Sequence, residues 1–578
     1  MVDLAHPSLP GIYIAHLALT TMTFISDVIG KITNRDPFAI ILALAGVVAL
    51  VHFVPYFLDR HNIRRYPGPL LASLSDGWLS WIAVRGTINV AIADEHAKHG
   101  KFVRITPDQV SIADISALHT IYGHSVGHGT PVKSDLYKAF NPFHEMQTIF
   151  TTASREEHAR KRKLIANTFS LKSVLDYEPV VRKYNRILMQ HWDRMCASAA
   201  KGIGGTVGQC SWKVKDGYAF FDCLTWFHYQ VYDIIGDLVF DGPYGMTASV
   251  SDTAQIARSR EAAMNSYGLE EAKLDYISIP VVKAAHGRSQ YTIAIGVLPK
   301  WLRPLFKRLP WYSWRAEAME HITTLAVTAV VRRLKKATEV RSNNILSRYL
   351  DATDENGQRM GKVELSAEAM TLLIAGTDTT SNSSAVITHY VAAHPEVQKK
   401  LQRELDDALG PPSGETLEDG QVTAGSYEQL KHLPYLQDVL NEGLRLYSTV
   451  GIGLPRVVPE EGLTVLGETF APGTIVSVPT YILHRDKSIW GDDADQFVPE
   501  RWSRENKSEM QKAFAPFSIG PRACVGRNLA WMEMLIFLGN LFHRYEFTMI
   551  DPSYKLSIRD AFLRKPQESM VGIKRRNC

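Results

Sequence analysis

The longest hydrophobic stretch of the chain lies near its start, at residues 37–58. It reads PFAIILALAGVVALVHFVPYFL, and His52 is its only acidic or basic residue. An apolar run of about 20 residues is long enough to cross the hydrocarbon core of a bilayer. A buried core helix is the less favoured alternative, because a core helix of this length normally keeps a polar face. We therefore predict a transmembrane helix at about residues 38–58, within an anchor region of residues 1–65.

The residues on either side of this stretch indicate its topology. A cleaved signal peptide is disfavoured, because no basic n-region precedes the stretch and no small-x-small cleavage site follows it. An excess of basic residues after the stretch favours a cytosolic position for most of the chain. Residues 12–29 are apolar but interrupted by His16 and Asp27, so they are a second, weaker candidate for a membrane segment. The basic residues are Lys31 and Arg35 before the stretch and Arg60, Arg64 and Arg65 after it.

The pattern after the anchor predicts a connector, a hairpin and several helices. Residues 66–69 read YPGP, which is a stiff, non-helical connector because proline fixes φ and disfavours helix before it. Residues 101–113 alternate around a Pro-Asp turn and predict a β-hairpin. Residues 222–240 predict a strongly apolar helix. Residues 196–210 are rich in Ala, Gly and Lys and predict a flexible insertion, and residues 246–314 give no clear pattern.

Composition narrows the class of protein. The chain has 578 residues, of which 45% are hydrophobic, so it can bury a large core. Its net charge is only +4, which gives a nucleic-acid partner no electrostatic basis. Five cysteines are an odd number and too sparse for a disulfide scaffold, so they suit a reducing compartment.

The strongest chemical motif is a cysteine loop at residues 517–526, FSIGPRACVG, before an apolar run of helical composition. Cys524 has no second Cys or His at zinc-site spacing, so iron that needs one protein thiolate fits better than zinc. Gly520 and Gly526 let the backbone fold tightly around the sulfur and bring amide groups close to it. Arg522 can lie on the anionic rim of a haem. A small buried thiol is the alternative interpretation.

The loop resembles a known family. Phe517, Gly520, Arg522, Cys524 and Gly526 match every fixed position of the FxxGxRxCxG haem loop of cytochrome P-450 monooxygenases. The resemblance implies haem b, with the Cys524 thiolate as the axial ligand that pushes electron density onto the iron. It also implies a mainly α fold with small β-sheets (α+β), formed by a catalytic domain of residues 66–578.

A second motif lies in a predicted helix at residues 366–393. Gly376 and two adjacent hydroxyl residues are poor helix formers, and a kinked helix that lines a small cavity would explain them. There Thr379 can donate a proton to bound oxygen and Asp378 can resupply it. A hydroxyl-rich kink without chemistry is the alternative. Ala375, Gly376, Asp378 and Thr379 match the oxygen-activating motif of the family.

Three basic residues resemble the family's haem-propionate contacts. His158 and Arg162 lie four residues apart on one helix face, which by spacing alone suits a solvated basic face. The family carries Trp or His, and Arg four residues on, at this place. Arg456 matches another propionate-binding arginine, although an exposed arginine remains the alternative. The other bases of this helix can belong to a docking surface for an acidic electron donor: Arg160, Lys161 and Lys163.

A further pair of charges resembles the family's ExxR motif. Glu442 and Arg445 lie three residues apart on one helix face, a spacing that usually marks a weak surface pair. The family adds a second arginine downstream, at the place of Arg501. The three side chains would form a buried structural network behind the haem loop. Trp502 departs from the family's usual phenylalanine, and we expect no effect on the chemistry.

The resemblance implies a monooxygenase that inserts one oxygen atom from dioxygen into an organic substrate. The chain contains no flavin or NADPH module, so NADPH electrons would arrive from a separate cytochrome P-450 reductase, with a microsomal b-type cytochrome as a second candidate donor. We predict an endoplasmic-reticulum membrane location, single-pass or two-pass, with the catalytic domain on the cytosolic side. No nucleic acid is predicted as a partner.

Two substrate hypotheses remain open. Residues 100–114, 158–170 and 222–240 resemble the fungal benzoate para-hydroxylase branch of the family, which implies a small aromatic acid. The extra length and the irregular loop at residues 124–150 favour oxidative tailoring of a larger fungal polyketide or terpenoid. A haem protein that does not use dioxygen is a third hypothesis, but Asp378 and Thr379 argue against it.

Overall fold

The computed structural model describes residues 37–124, 129–141, 143, 146–267, 269, 274–299, 302–336, 344–354, 356–412 and 425–576. The second membrane candidate, at residues 12–29, lies outside this part of the chain.

Helices form most of the architecture. In chain order they are α1 Pro37–Leu58, α2 Leu70–Leu74, α3 Gly77–Arg85, α4 Ile88–His99, α5 Ile115–Tyr122, α6 Arg155–Ala166, α7 Leu171–Leu175, α8 Glu178–Ala199, α9 Cys223–Phe240, α10 Met246–Ser249, α11 Arg260–Asn265, α12 Val281–Gly296, α13 Arg303–Lys307, α14 Pro310–Lys336, α15 Ile345–Asp351, α16 Lys362–Ala393, α17 Pro395–Leu409, α18 Tyr427–Leu430, α19 Pro434–Tyr447, α20 Thr480–Leu483, α21 Lys487–Trp490, α22 Lys507–Ala513 and α23 Arg527–Arg544. Short 3-10 helices lie at Asp135–Phe140, Asn167–Phe169, Pro499–Ser503 and Gly520–Arg522.

The strands are short and fall into small sheets. They are β1 Phe102–Thr106, β2 Gln109–Ile112, β3 Val132–Lys133, β4 Gly205–Val207, β5 Cys210–Lys215, β6 Tyr218–Asp222, β7 Ala254–Ala257, β8 Tyr276–Ile279, β9 Arg456–Val457, β10 Leu463–Val465, β11 Glu468–Phe470, β12 Ile475–Ser477, β13 Tyr545–Thr548, β14 Ile558–Asp560, β15 Arg564–Pro566 and β16 Met570–Arg575.

Helix α1 carries its apolar surface on the outside. Within the described residues it is the one helix long and apolar enough to cross a membrane, with a mean hydropathy of 2.3 over Ile41–Leu58 and none of that window buried. This exposure excludes the core-helix alternative, because a core helix covers its apolar side chains. The His52 ring nitrogen Nδ1 contacts the Leu74 carbonyl oxygen at 3.0 Å, so α1 ends against α2.

The long helix α16 lies at the centre of the catalytic domain. Helices α9, α14, α19 and α23 pack against it, and its apolar residues belong to the main hydrophobic core. Several polar residues of α16 are also buried, and their hydroxyl groups donate to carbonyl oxygens one turn earlier. Examples are Thr377 to Leu373 at 2.7 Å and Thr388 to Ser384 at 2.8 Å. These bonds satisfy the hydroxyls and permit burial of a Ser- and Thr-rich helix.

Two five-stranded sheets flank the helices. The first has the order β1-β2-β12-β9-β3, and its β1–β2 pair is the antiparallel hairpin that the sequence predicts. The second has the order β13-β16-β6-β5-β4. The prediction of a flexible insertion at residues 196–210 is wrong, because α8 continues to Ala199 and β4 pairs with β5. The Trp212 ring packs over Gly205 and orders this edge.

Candidate active site

A cavity of about 350 Å³ lies between α16, the cysteine loop and the start of α23. Its lining is mostly apolar, and it brings together residues that are far apart in the sequence. Cys524, Asp378 and Thr379 all face it, as do Phe140, Thr148 and Phe150. The two strongest motifs of the sequence therefore form one site.

The backbone of the cysteine loop depends on glycine at one position. Gly520 has φ of 70°, and a Cβ there would overlap the Tyr122 carbonyl oxygen. The Cys524 amide donates to the Phe517 carbonyl at 2.9 Å, which closes the loop. Gly526 has a different role: a Cβ there would meet no protein atom within 4 Å, and the residue lines the cavity. A side chain at Gly526 would occupy cavity space beside Cys524.

The Cys524 thiol is exposed to the cavity although protein atoms surround it on the other sides. Burial raises the pKa of the thiol, while the Gly526 amide and the Arg162 and Arg527 guanidinium groups act in the opposite direction. These groups would stabilise a thiolate. Arg162 itself donates to the Ala523 carbonyl at 2.7 Å, so it supports the cysteine loop directly.

Four buried or half-buried cations surround His158 on one side of the site. The pKa of His158 is lowered to about 3, first by burial and then by Arg522, Lys133, Arg162 and Arg456. The imidazole ring is therefore neutral at physiological pH. Sheet register places Lys133 on β3 directly opposite Arg456 on β9. Like charges placed directly opposite each other destabilise a strand pair unless an anion compensates them.

Within the described residues these four cations form no ion pair. Arg522 donates to three carbonyl oxygens, those of Thr152, Ala153 and Ser154, at 2.8–3.1 Å. Arg456 donates to the Tyr137 hydroxyl at 2.9 Å, and Lys133 to the Phe150 carbonyl at 2.5 Å. Burial, and then the nearby Arg456 and Arg522, lower the pKa of Lys133 well below its usual value, so a bound anion would favour its charged form. A group that carries carboxylates at its edge, as haem does, fits this place. Sequence reasoning missed Lys133, because a single lysine in a two-residue strand gives no local signal.

The α16 motif places a hydroxyl and a carboxylate next to the cavity. The Thr379 hydroxyl donates to the Ala375 carbonyl at 2.7 Å, so it must rotate before it can donate to a group in the cavity. A Cβ at Gly376 would lie 2.8 Å from the Ile235 side chain, which packs against this turn of the helix. Asp378 is buried and forms an ion pair with Lys565 of β15.

Two histidines complete the surroundings of Asp378. The His228 Nε2 lies 3.9 Å from the Asp378 carboxylate, and one ligand atom from each of His228, His286 and Asp378 lies within 4.8 Å of the others. Burial alone would raise the pKa of Asp378, but the Lys565 ammonium, and the two histidines where they are protonated at low pH, lower it to about 2. The Lys565 ammonium already compensates the carboxylate, so a metal ion is disfavoured here. No sequence pattern indicates these partners, because they come from three separate elements, α9, α12 and β15.

The ExxR residues meet in a fully buried network. Arg445 donates to both carboxylate oxygens of Glu442 at 2.8 and 2.9 Å, and Arg501 Nε donates to the same carboxylate at 2.8 Å. Arg501 also pairs with Asp493 at 3.0 Å. The Trp502 indole donates to Glu442 at 3.2 Å, a bond that phenylalanine cannot form. Trp502 is therefore a member of this network, which the sequence did not indicate.

The basic face of α6 differs from the predicted docking surface. Lys161 is only 1% exposed and pairs with Glu364 and with Glu368, the latter at 3.0 Å. Arg160 pairs with Glu157 at 2.8 Å. The hypothesis that Lys161 helps to dock an electron donor is therefore wrong, because the ammonium group is buried and already paired.

Known proteins that are similar to this chain are cytochromes P-450 and monooxygenases. Residues 67–573 match the sequence model of the family described as Cytochrome P-450. Benzoate 4-monooxygenase bphA of Aspergillus niger is 39% identical over 550 residues, which cover 94% of this chain and 98% of that protein. Cytochrome P-450 monooxygenase gsfF of Penicillium aethiopicum is 26% identical over 544 residues, which cover 92% and 97%.

A solved structure agrees with the fold. The crystal structure of a cytochrome P-450 (CYP102L1) aligns with a TM-score of 0.67 and 20% identity, over 88% of this chain and 99% of that chain. The mainly α fold with small β-sheets that the sequence predicts is therefore confirmed.

Proposed function

The chain belongs to the cytochrome P-450 family, and from that premise we propose that it hydroxylates an aromatic acid of the benzoate type at the para position. As a family member it is a haem-thiolate monooxygenase that uses dioxygen and NADPH electrons delivered by a reductase. The observation that carries the choice of substrate is the 39% identity to the Aspergillus niger benzoate 4-monooxygenase along 94% of the chain. The apolar cavity beside Cys524 suits an aromatic ring.

We assign the haem contacts to residues that the structure brings to one side of the cavity. Cys524 would bind the haem iron through its thiolate, and Phe517, Gly520 and Gly526 would shape the narrow loop around it. When bound, the haem supplies the iron at which dioxygen is reduced and one oxygen atom enters a C–H bond. The propionates would lie among the uncompensated cations and the neutral imidazole described above: Arg522, Arg162, Arg456, Lys133 and His158.

Protons for the reaction would come from α16. Thr379 can turn its hydroxyl from the Ala375 carbonyl toward the cavity and donate a proton there. Asp378 is ionised at neutral pH, because its pKa is held at about 2. It therefore cannot be the stored source of a proton. We propose that Asp378 relays protons instead: the Lys565 ammonium in its buried ion pair keeps the carboxylate ionised, so that it can accept a proton and pass it to Thr379.

Thr379→Ala is expected to uncouple NADPH consumption from product formation. The variant cannot supply the proton, and general acid catalysis is typically worth about 10²–10⁴-fold, so we expect at least a roughly tenfold fall in product per NADPH. Product, hydrogen peroxide and NADPH are measured in the same reaction. Thr388→Ala is the control, because it removes a hydroxyl with the same bond to a carbonyl one turn earlier, away from the cavity. Equal coupling in Thr379→Ala and wild type would contradict the assignment.

The substrate proposal is tested with purified protein, a cytochrome P-450 reductase, NADPH and benzoate. We expect 4-hydroxybenzoate as the product, formed only in the presence of dioxygen. Failure to oxidise benzoate or a ring-substituted benzoate, together with oxidation of larger polyketides or terpenoids, would favour oxidative tailoring instead. That alternative has weaker support, since relatives named only as cytochrome P-450 monooxygenases, such as gsfF, are 26–28% identical to this chain.

The position of the enzyme in the cell follows from α1. Its length, its hydropathy and the lack of buried residues in the window Ile41–Leu58 indicate a membrane anchor. We propose that this anchor holds the protein in the endoplasmic reticulum with the catalytic domain on the cytosolic side, where a membrane-bound NADPH-cytochrome P-450 reductase can reach it. A microsomal b-type cytochrome is the second donor we propose.

A further inference from the structure

One arginine lines the cavity without belonging to the cation group near Cys524. Arg288 lies on α12 and is only 5% exposed, so its guanidinium has lost almost all contact with bulk water. Burying a charged group is costly unless hydrogen bonds or an opposite charge compensate it. The partners of Arg288 therefore decide whether the side chain has a role in binding.

The protein leaves Arg288 poorly satisfied. Its Nη2 donates to the Phe140 carbonyl at 3.4 Å, which is near the limit of a hydrogen bond. Its Nε is buried and has no hydrogen-bond partner. Burial lowers the pKa of Arg288 to about 10, with Asp378 acting in the opposite direction, so the guanidinium stays charged at neutral pH.

Asp378 stabilises the charge of Arg288 only in part, because the Lys565 ammonium is paired with the same carboxylate. Asp378 forms its ion pair with Lys565, and burial lowers the pKa of both neighbouring histidines, His228 and His286, so both are neutral at physiological pH. The charges of the Asp378 carboxylate and the Lys565 ammonium therefore neutralise each other. The positive charge of Arg288 remains, and it faces a cavity that lies within the protein.

The wall next to Arg288 is aromatic. Phe140, whose carbonyl accepts from Arg288, packs edge-on against Phe562 with ring centres 4.9 Å apart and against Phe150 at 5.5 Å. All three rings line the cavity. A benzene ring placed here would gain edge-to-face contacts, and a carboxylate on that ring would meet the guanidinium.

We propose that Arg288 binds the carboxylate of the substrate and so selects aromatic acids, an inference that rests on the proposed function. A planar guanidinium can hold a carboxylate through two parallel hydrogen bonds, which fixes the direction of the ring as well as its position. The para carbon is then the ring atom farthest from Arg288. Hydroxylation at the para position would require this atom to lie on the Cys524 side of the cavity, which Arg288 and Cys524 both line.

The test compares benzoate with benzamide, which has nearly the same shape but no charge. Binding to the haem-loaded protein is measured by calorimetry, and the shift of the Soret band shows whether the ligand reaches the haem. For wild type we expect benzoate to bind much more tightly than benzamide. Arg288→Met should weaken the binding of benzoate by about 30-fold or more, because the substrate carboxylate loses its buried partner. The affinity for benzamide should change little.

Two further variants test whether the loss of benzoate affinity is specific to the guanidinium of Arg288. Arg288→Lys keeps the charge but loses the bidentate geometry, so it should recover part of the benzoate affinity. Arg303→Met is the control, because Arg303 is a half-buried arginine that donates to the Leu298 and Gly296 carbonyls but lies outside the cavity lining. We expect this control to bind benzoate as wild type does.

The outcomes separate the two proposals. If wild type hydroxylates benzoate but Arg288→Met binds it equally well, the role of Arg288 is overturned and the proposed function stands. If wild type neither binds nor oxidises any aromatic acid, both are overturned. Should Arg288→Met fail to fold or lose haem, the wild-type preference decides, since benzoate binding no tighter than benzamide would overturn the role of Arg288.

Discussion

Replacing Cys524 by alanine is expected to abolish product formation and the haem-thiolate spectrum. No other described cysteine can replace it: Cys196, Cys210 and Cys223 are buried thiols and none of them lines the cavity. Burial raises the pKa of both Cys196 and Cys210 to about 12, which keeps these thiols protonated. We expect turnover to fall to background, and the absorption spectrum and product yield to show it.

Cys210→Ala is the control for this experiment. It removes a buried thiol from β5, at a distance from the site in the fold, so haem content and turnover should match those of wild type. Haem content must be measured for each variant, since Cys524→Ala protein without haem would also be inactive. Retention of monooxygenase turnover by Cys524→Ala would contradict the assignment of this sulfur as the iron ligand.

Replacing Glu442 by alanine is expected to destabilise the catalytic domain by about 3–5 kcal/mol, the usual cost of breaking a buried ion pair from one side. The variant leaves Arg445 and Arg501, both 0% exposed, without the carboxylate that they share. The Trp502 indole and the Val498 amide lose an acceptor as well. The free energy of unfolding is measured by urea titration, followed by tryptophan fluorescence and by haem release.

The chain offers a matched control for this loss. Glu396 and Lys399 also form an (i, i+3) ion pair, at 3.1 Å, but their side chains are 84% and 63% exposed. Exposed pairs contribute about 0.2–1 kcal/mol at most, so Glu396→Ala should change the free energy of unfolding very little. Equal stability of Glu442→Ala and Glu396→Ala would mean that the buried network does not support the fold.

The sequence predicted the parts of the site that lie in short continuous motifs. The cysteine loop around Cys524 and the Asp378-Thr379 pair are each defined within ten residues, so their types and spacing carry the chemistry. The same holds for α1, whose apolar run is continuous. The geometry adds what spacing cannot give: that the loop and α16 face one cavity, and that the Asp378 carboxylate is ionised and paired with Lys565.

The residues that the sequence missed share a physical reason. Arg288 and His286 lie on α12, in the segment where no pattern could be recognised, and Lys133 lies in a strand of two residues. Lys565 belongs to a short strand near the end of the chain. Each acts through partners that are distant in sequence, and burial in a cavity leaves no periodic signal. The ordered β4–β5 pair was missed for a related reason, since its Gly- and Lys-rich sequence has low strand propensity.

The carbon monoxide difference spectrum of the reduced wild-type protein shows whether Cys524 binds a haem iron as a thiolate. We expect a Soret band at the position characteristic of thiolate-ligated haem, and the loss of that band in Cys524→Ala. A wild-type band at the position of histidine-ligated haem would contradict thiolate ligation, and with it the function built on this loop.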